Sequence, residues 1–175
     1  MKLLPQIIGL LAVATFLFSF QLKRRKHIIL FNFISRCLYI LQYVLLGAAS
    51  GAVFDILAGI ASVLAGKKHS PFIHQYIQLI VITINVCIII IGITIAVLNQ
   101  SLLDVFALAG VLFEINALWL TNEKHIRLIS LFALPCWFVY NILSSAYGSA
   151  LGNVLATISI VIAMIRYKNP KADHI

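Results

Sequence analysis

Charge is what this chain has least of. Lysine, arginine, aspartate and glutamate make up 10% of its 175 residues, and only 5 of them are acidic. A soluble globule coats itself with such groups, so a chain that is 62% hydrophobic, with mean hydropathy +1.06, has too little polar surface to stand in water. Patterns that carry chemistry are missing as well. Cys37, Cys87 and Cys136 stand singly inside apolar runs, with no CxxC and no Cys/His ligand spacing, and read as packing residues rather than as a disulfide framework or a metal site. His27, His69, His74, His125 and His174 lie in or beside connectors or in the tail. No Ser/His/Asp grouping, HExxH, glycine-rich phosphate loop or paired acid motif occurs, so neither an enzyme nor a cofactor or metal is expected.

What the chain does have is apolar runs. Seven occur, at about 4–20, 27–46, 51–66, 76–98, 102–120, 127–145 and 148–165. Each is close to the ~20 residues that carry a helix across ~30 Å of hydrocarbon, which makes this an integral membrane protein. A net charge of +8 would suit nucleic acid, but the basic residues sit in short connectors without a stripe of stacking aromatics, and lipid headgroups are the simpler partner. They occupy every second connector: Lys23–Lys26, Lys67-Lys68, Lys124 with Arg127, then Arg166, Lys168 and Lys171. The intervening Gly47–Gly51, Asn99–Ser101 and Ser145–Ser149 have none. The positive-inside rule then predicts an amino terminus outside and a cytoplasmic carboxyl terminus, with Lys2 alone dissenting. Because the basic cluster follows the Ile7–Phe20 run instead of preceding it, that run reads as a retained span and not a secretory signal.

The chain also repeats. A shift of 98 residues lays Gly9–Lys68 on Ala107–Arg166 without a gap, with 15 of 60 positions identical. Polar landmarks coincide: Lys26-His27-Ile28 falls on Lys124-His125-Ile126, Ser50-Gly51 on Gly148-Ser149, Asp55 on Asn153. Three spans, a linking span and three more give both copies one orientation, so the expected fold is all-α integral membrane, seven transmembrane helices in a 3+1+3 arrangement of two parallel three-helix repeats. The divisions are 4–68, a linking and lipid-facing helix at 76–98, 102–166, and a cytoplasmic tail 167–175. Repeats of this kind place a transporter's site between the copies.

Ionisable groups inside the hydrocarbon are costly and therefore informative. At ~1.5 Å per residue, Arg36 lies ~15 Å from Lys26 and Asp55 ~18 Å from Lys67, both near mid-depth on adjacent helices. The pair suits a structural ion pair and equally a substrate or proton site. Glu114, ~10 Å from Thr121, suits either a structural role or the lining of an inner vestibule. Asp104 stands at the outer edge of its span, within reach of headgroups and water. An aromatic and amide set completes the candidates: Tyr39 maps on Trp137, Gln42 on Tyr140, and Tyr43 on Asn141. With Asp55 and Asn153 they would frame a pocket for a small polar solute; Tyr39 and Trp137 suit the interfacial aromatic belt as well, and Tyr147 suits the belt best. Pro135, inside the sixth span, permits a kink that is either a static bend or a hinge.

Two resemblances follow from these residues. Ile8-Gly9-Leu10-Leu11-Ala12, Ser19-Phe20-Gln21 and the basic Lys23–Lys26 resemble the opening of a SWEET or PQ-loop unit, and the 3+1+3 layout is similar to theirs. Leu38–Asp55 and Cys136–Tyr167, with Trp137, Tyr140-Asn141, Gly148 and Ile165-Arg166-Tyr167, resemble the YgjV family of bacterial inner-membrane proteins across nearly the whole chain. The SWEET likeness implies sugar uniport, with an aromatic on the second helix and an asparagine on the third helix of each unit: Tyr39 with Asp55 and Trp137 with Asn153. Phe20 stands where the motif has proline, Trp119 where its second copy has glutamine, and Asp55 where asparagine would be, which points toward a cationic or proton-coupled solute. The reading is a transporter working by alternating access in the bacterial cytoplasmic membrane, open to homo-oligomer formation. A non-transporting subunit or scaffold is its rival. A mid-depth cavity lined by Asp55 and Asn153 would favour the first and a sealed centre the second.

Overall fold

Backbone amides in hydrocarbon have no water to bond, so each apolar run satisfies its own as helix. The computed structural model describes residues 3–19, 25–68 and 70–166; the Phe20–Arg24 connector with Gln21, His69 and the tail from Tyr167 lie outside them. The helices are α1 (Leu3–Ser19), α2 (Arg25–Leu46), α3 (Ala49–Gly66), α4 (Pro71–Gln75), α5 (Ile77–Asn99), α6 (Leu102–Trp119), α7 (Glu123–Leu143) and α8 (Tyr147–Arg166). Among the described residues there is no strand. Five helices, α3 and α5 to α8, are long and apolar enough to cross a membrane; the apolar stretches of α1 and α2, Leu3–Phe18 and Phe33–Leu46, are shorter. The short α4 is an addition to the seven runs, started by Pro71, whose fixed φ suits the first helical position.

Two connectors are built alike, 98 residues apart. Gly47 and Ser145 both take positive φ, +75° and +59°. Ala48 N–H donates to the Tyr43 carbonyl at 2.9 Å and Ala146 N–H to the Asn141 carbonyl at 2.7 Å, while Gly47 and Ser145 N–H donate to Val44 and Ile142 at 3.1 Å each. Both are Schellman endings, and each reverses the chain at once, so α3 lies against α2 and α8 against α7.

The helices close a ring. α1 packs on α2, α2 on α3, α3 on α6, α6 on α7, α7 on α8, and α8 back on α1. Exchanging positions 98 apart turns the α1–α8 contact into α6–α3, so the ring maps onto itself. α5 stands outside, against α6 and to a smaller extent α3, with only Ile88 and Gly92 buried. Its polar break at Asn85 is a fastening: the amides of Asn85 and Asn116 on α6 bond each other reciprocally at 3.2 and 2.8 Å. Cys37 and Cys87, expected to pack, lie on the bundle's outer surface, where a weakly polar thiol is tolerated by lipid as well as by protein.

One end of the bundle carries the connectors 47–48, 100–101 and 144–146, free of Lys and Arg; we call it the neutral end. There α1 and α8 cross with backbones in contact. A methyl group added at Gly148 would stand 2.9 Å from the Gln6 carbonyl oxygen and 3.0 Å from Leu10 N, and main chain cannot step aside as a side chain can. Gly148→Ala should therefore push α1 off α8 and lower the melting temperature of the detergent-purified protein, a loss of about 1–3 kcal/mol. Gly66→Ala, with nothing within 4 Å of the new methyl, should change stability by no more than about 1 kcal/mol.

Candidate functional site

Arg36 sits in the middle of α2 with its side chain only 13% exposed. Its stem runs past Gly59 on α3, where an added methyl would lie 3.7 Å from Arg36 Cδ, an ordinary contact. Nη1 donates to Asp55 Oδ1 on α3 at 3.0 Å, and Nη2 donates to Glu114 Oε1 on α6 at 2.6 Å. Glu114 then accepts at Oε2 from Trp137 Nε1 on α7 at 3.2 Å. A continuous chain of charge-assisted bonds thus runs from α3 through α2 and α6 to α7. One cation between two carboxylates leaves a net charge of −1 when all three are ionised. Glu114 is the least enclosed member, its side chain 32% exposed.

A layer of rings and amides adjoins this cluster. Tyr43 Oη donates to Asn141 Oδ1 at 2.7 Å, and these are equivalent positions of the two copies. Tyr140 Oη accepts from Gly51 N–H at 2.7 Å and shares a hydrogen with Ser50 Oγ at 2.9 Å, while Ser149 Oγ donates to Gln42 Oε1. Since 42 corresponds to 140 and 149 to 51, the Tyr140–Gly51 and Gln42–Ser149 bonds are one contact made from either half. Gly51 is required here, because a methyl would stand 2.7 Å from the Tyr140 hydroxyl. The rings of Tyr43, Trp137 and Tyr140 pack with centroids 5.9 to 6.5 Å apart and fill the centre.

At the neutral end the bundle opens into a cavity of about 950 Å³, bounded by Tyr140, Gln6, Ser50, Asn99, Asp104 and Tyr147 among others. On one side Gln6 seals it: its Nε2 donates to the Ser145 carbonyl at 2.7 Å, and its Oε1 accepts from Gly148 N–H at 3.1 Å.

Of the residues singled out in the sequence, Arg36, Asp55, Glu114 and Trp137 come together in one chain, and Gln42 and Asn141 enter the ring layer. Tyr39 is half-buried on α2, its hydroxyl against Gly152, while Asn153 has a buried Nδ2 with no protein partner and no hydrogen bond to Asp55. Pro135 is exposed, and α7 runs unbroken through it. The cavity at the neutral end is lined by neither Asp55 nor Asn153, the two positions expected to frame one at mid-depth. One expectation needs correction. Asp104 is not solvated at a span edge but 3% exposed, accepting from Asn99 Nδ2 at 2.8 Å, because the connectors close around it. Ser50, Ser149 and Gln6 escaped notice as interface partners, although the 98-residue shift pairs Gln6 with Asp104 just ahead of the aligned stretch. Among the described residues no three His, Cys, Asp or Glu side chains are grouped to hold a metal ion.

The charge balance sets the expected cost of substitution. Arg36→Gln leaves two carboxylates uncompensated in the interior and should cost about 3 kcal/mol or more. Glu114→Gln leaves a neutral Arg36–Asp55 pair and should cost about 1 kcal/mol. Melting temperatures of the two variants in the same detergent order them; equal losses would contradict the triad.

Comparison with known proteins adds a family and nothing finer. No curated protein matches the chain, and no solved structure does. The profile of the Imp-YgjV family, described as bacterial inner membrane protein, matches residues 3–171, which together with the apolar helices gives a multi-pass location in that membrane. The chain therefore belongs to the Imp-YgjV family of bacterial inner membrane proteins.

Proposed function

We propose that the chain moves a small polar solute across the inner membrane by alternating access between two parallel repeats, 4–68 and 102–166, joined by the span 76–98. In this reading all seven long helices cross the membrane in a SWEET-like 3+1+3 order, the neutral end faces outward, and the carboxyl terminus is cytoplasmic, as the basic connectors require. The observation that supports it most is that the buried ionic cluster draws its members from both halves. Arg36 and Asp55 belong to the first, Glu114 and Trp137 to the second. A rocking of one half on the other would break the Arg36–Glu114 bond while leaving Arg36–Asp55 intact, so the charge presented to a solute would change with the conformation. Asp55, Tyr39, Trp137, Asn153, Gln42 and Asn141 flank the route, Arg36 sets the charge at Asp55, Glu114 borders the inner side, and Pro135 lets α7 bend.

A second reading, a non-transporting subunit or scaffold, is favoured by the packing of Tyr43, Trp137 and Tyr140, all buried and in ring contact with one another.

The two readings separate in a thermal-stability screen of the detergent-purified protein against sugars, amino acids, nucleosides, vitamins and organic cations, run beside Asp55→Asn. On the transport reading, at least one solute raises the melting temperature of wild type but not of Asp55→Asn, by binding linkage. On the scaffold reading no solute shifts wild type, and Asp55→Asn is simply less stable.

A further inference from the structure

The neutral-end cavity is bounded by one carboxylate and, among the described residues, by no lysine, arginine or histidine. Helix dipoles do not reverse that balance. The amino ends of α1, α3, α6 and α8 and the carboxyl ends of α2, α5 and α7 meet at this end, leaving an excess of about half a positive charge, which one carboxylate outweighs. Asp104 therefore sets the sign of the site. At 3% exposed, with an uncharged amide as its hydrogen-bond donor, it is a buried carboxylate whose charge a neutral Asn99 does not cancel.

The other half shows what this position does without the charge. Gln6 occupies the place equivalent to Asp104, and Ser145 and Gly148 the places equivalent to Gly47 and Ser50. Gln6 both donates to the Ser145 carbonyl and accepts from Gly148 N–H, which locks α1 to the start of α8. An ionised aspartate has no hydrogen to donate, so Asp104 cannot make the matching bond to the Gly47 carbonyl. The exchange of amide for carboxylate forgoes that bond on the Gly47 side and leaves a carboxylate bordering the cavity.

We infer that this cavity is a binding site for a small organic cation, with Asp104 as its counter-charge. A volume of about 950 Å³ suits an organic ammonium rather than a bare metal ion, which would need several oxygen ligands converging within ~2.6 Å. Tyr147, an exposed aromatic among the lining residues, adds the kind of ring that quaternary and primary ammonium groups prefer. The site requires neither transport nor a given orientation in the membrane.

Equilibrium dialysis of the full-length protein in detergent with radiolabelled choline, at ionic strength fixed with sodium chloride, tests this. Choline should bind saturably, ethanolamine should compete, and the uncharged isostere 3,3-dimethylbutan-1-ol should not. Asp104→Asn should weaken binding at least about tenfold, and Asp104→Glu should retain it. Equal competition by the isostere on wild type, which needs no variant to fold, overturns the inference. So does absence of saturable choline and ethanolamine binding, or wild-type affinity in Asp104→Asn. Loss of binding in Asp55→Asn with retention in Asp104→Asn also overturns it, by moving the site to the central cluster. Binding that follows Asp104 stands even if no solute in the stability screen depends on Asp55.

Discussion

An arginine buried in the middle of a helix of a membrane protein cannot be left alone, and Arg36 decides much of what surrounds it. Translocon-derived scales put an unpaired charge at the bilayer centre at about 2.5–3.5 kcal/mol. Arg36 meets that cost with two carboxylates on two different helices, so α2 is stable only where α3 and α6 both face it. The pairing fixes the contact between halves as firmly as any apolar packing. Yet a buried ion pair rarely stabilises more than aliphatic residues of similar volume would. Stability alone therefore does not account for three ionisable groups where Leu134 and Phe16, the counterparts of Arg36 and Glu114, are apolar. What the charges add is a net negative centre whose balance depends on how the halves lie.

The structure is symmetric where its polar groups are neutral and asymmetric where they are charged. The two Schellman turns, the Tyr43–Asn141 bond and the Tyr140–Gly51 and Gln42–Ser149 pair all survive exchange of positions 98 apart. Arg36 stands against Leu134, Glu114 against Phe16, Asp55 against Asn153 and Asp104 against Gln6. Neutral hydrogen bonds of about 1 kcal/mol each hold the ring of helices together. Away from the basic connectors, these charges stand on one member of each equivalent pair, and the central cluster and the neutral-end cavity that hold them are places where the halves differ.

The helices were legible because an apolar run in lipid has one way to satisfy its backbone, and the small-residue connectors at Gly47–Gly51 and Ser144–Ser149 marked the reversals. Only α4 was missed, since five residues carry no periodicity. Depth counting found Arg36 and Asp55, which neighbour each other through a short turn. It could not find Glu114 as the second partner, because distance along a helix gives height and not the direction in which a side chain points. The same limit misplaced Asp104: a helix end reads as exposed, and only the fold shows three connectors gathered around it. Nor could composition reveal that Tyr43, Trp137 and Tyr140, each a plausible pocket wall, turn toward one another and close the space between them.

Those three rings are the barrier between the two charged regions. The cavity shares Tyr140 with the ring layer, and the ring layer shares Trp137 with the Arg36 cluster. Tyr43 is held by Asn141 of the other half, and Tyr140 by Gly51 and Ser50 of the other half. Rotating either side chain in place would strand a buried hydroxyl and, for Tyr140, a backbone N–H, each at a cost of about 1–3 kcal/mol. Moving one half relative to the other instead loosens both ties together and brings new partners within reach of the freed groups. The rings are thus tied across the same interface as the ionic cluster, so on the transport reading proposed above displacement of the halves, rather than side-chain motion within either, is the coordinate along which this centre would open.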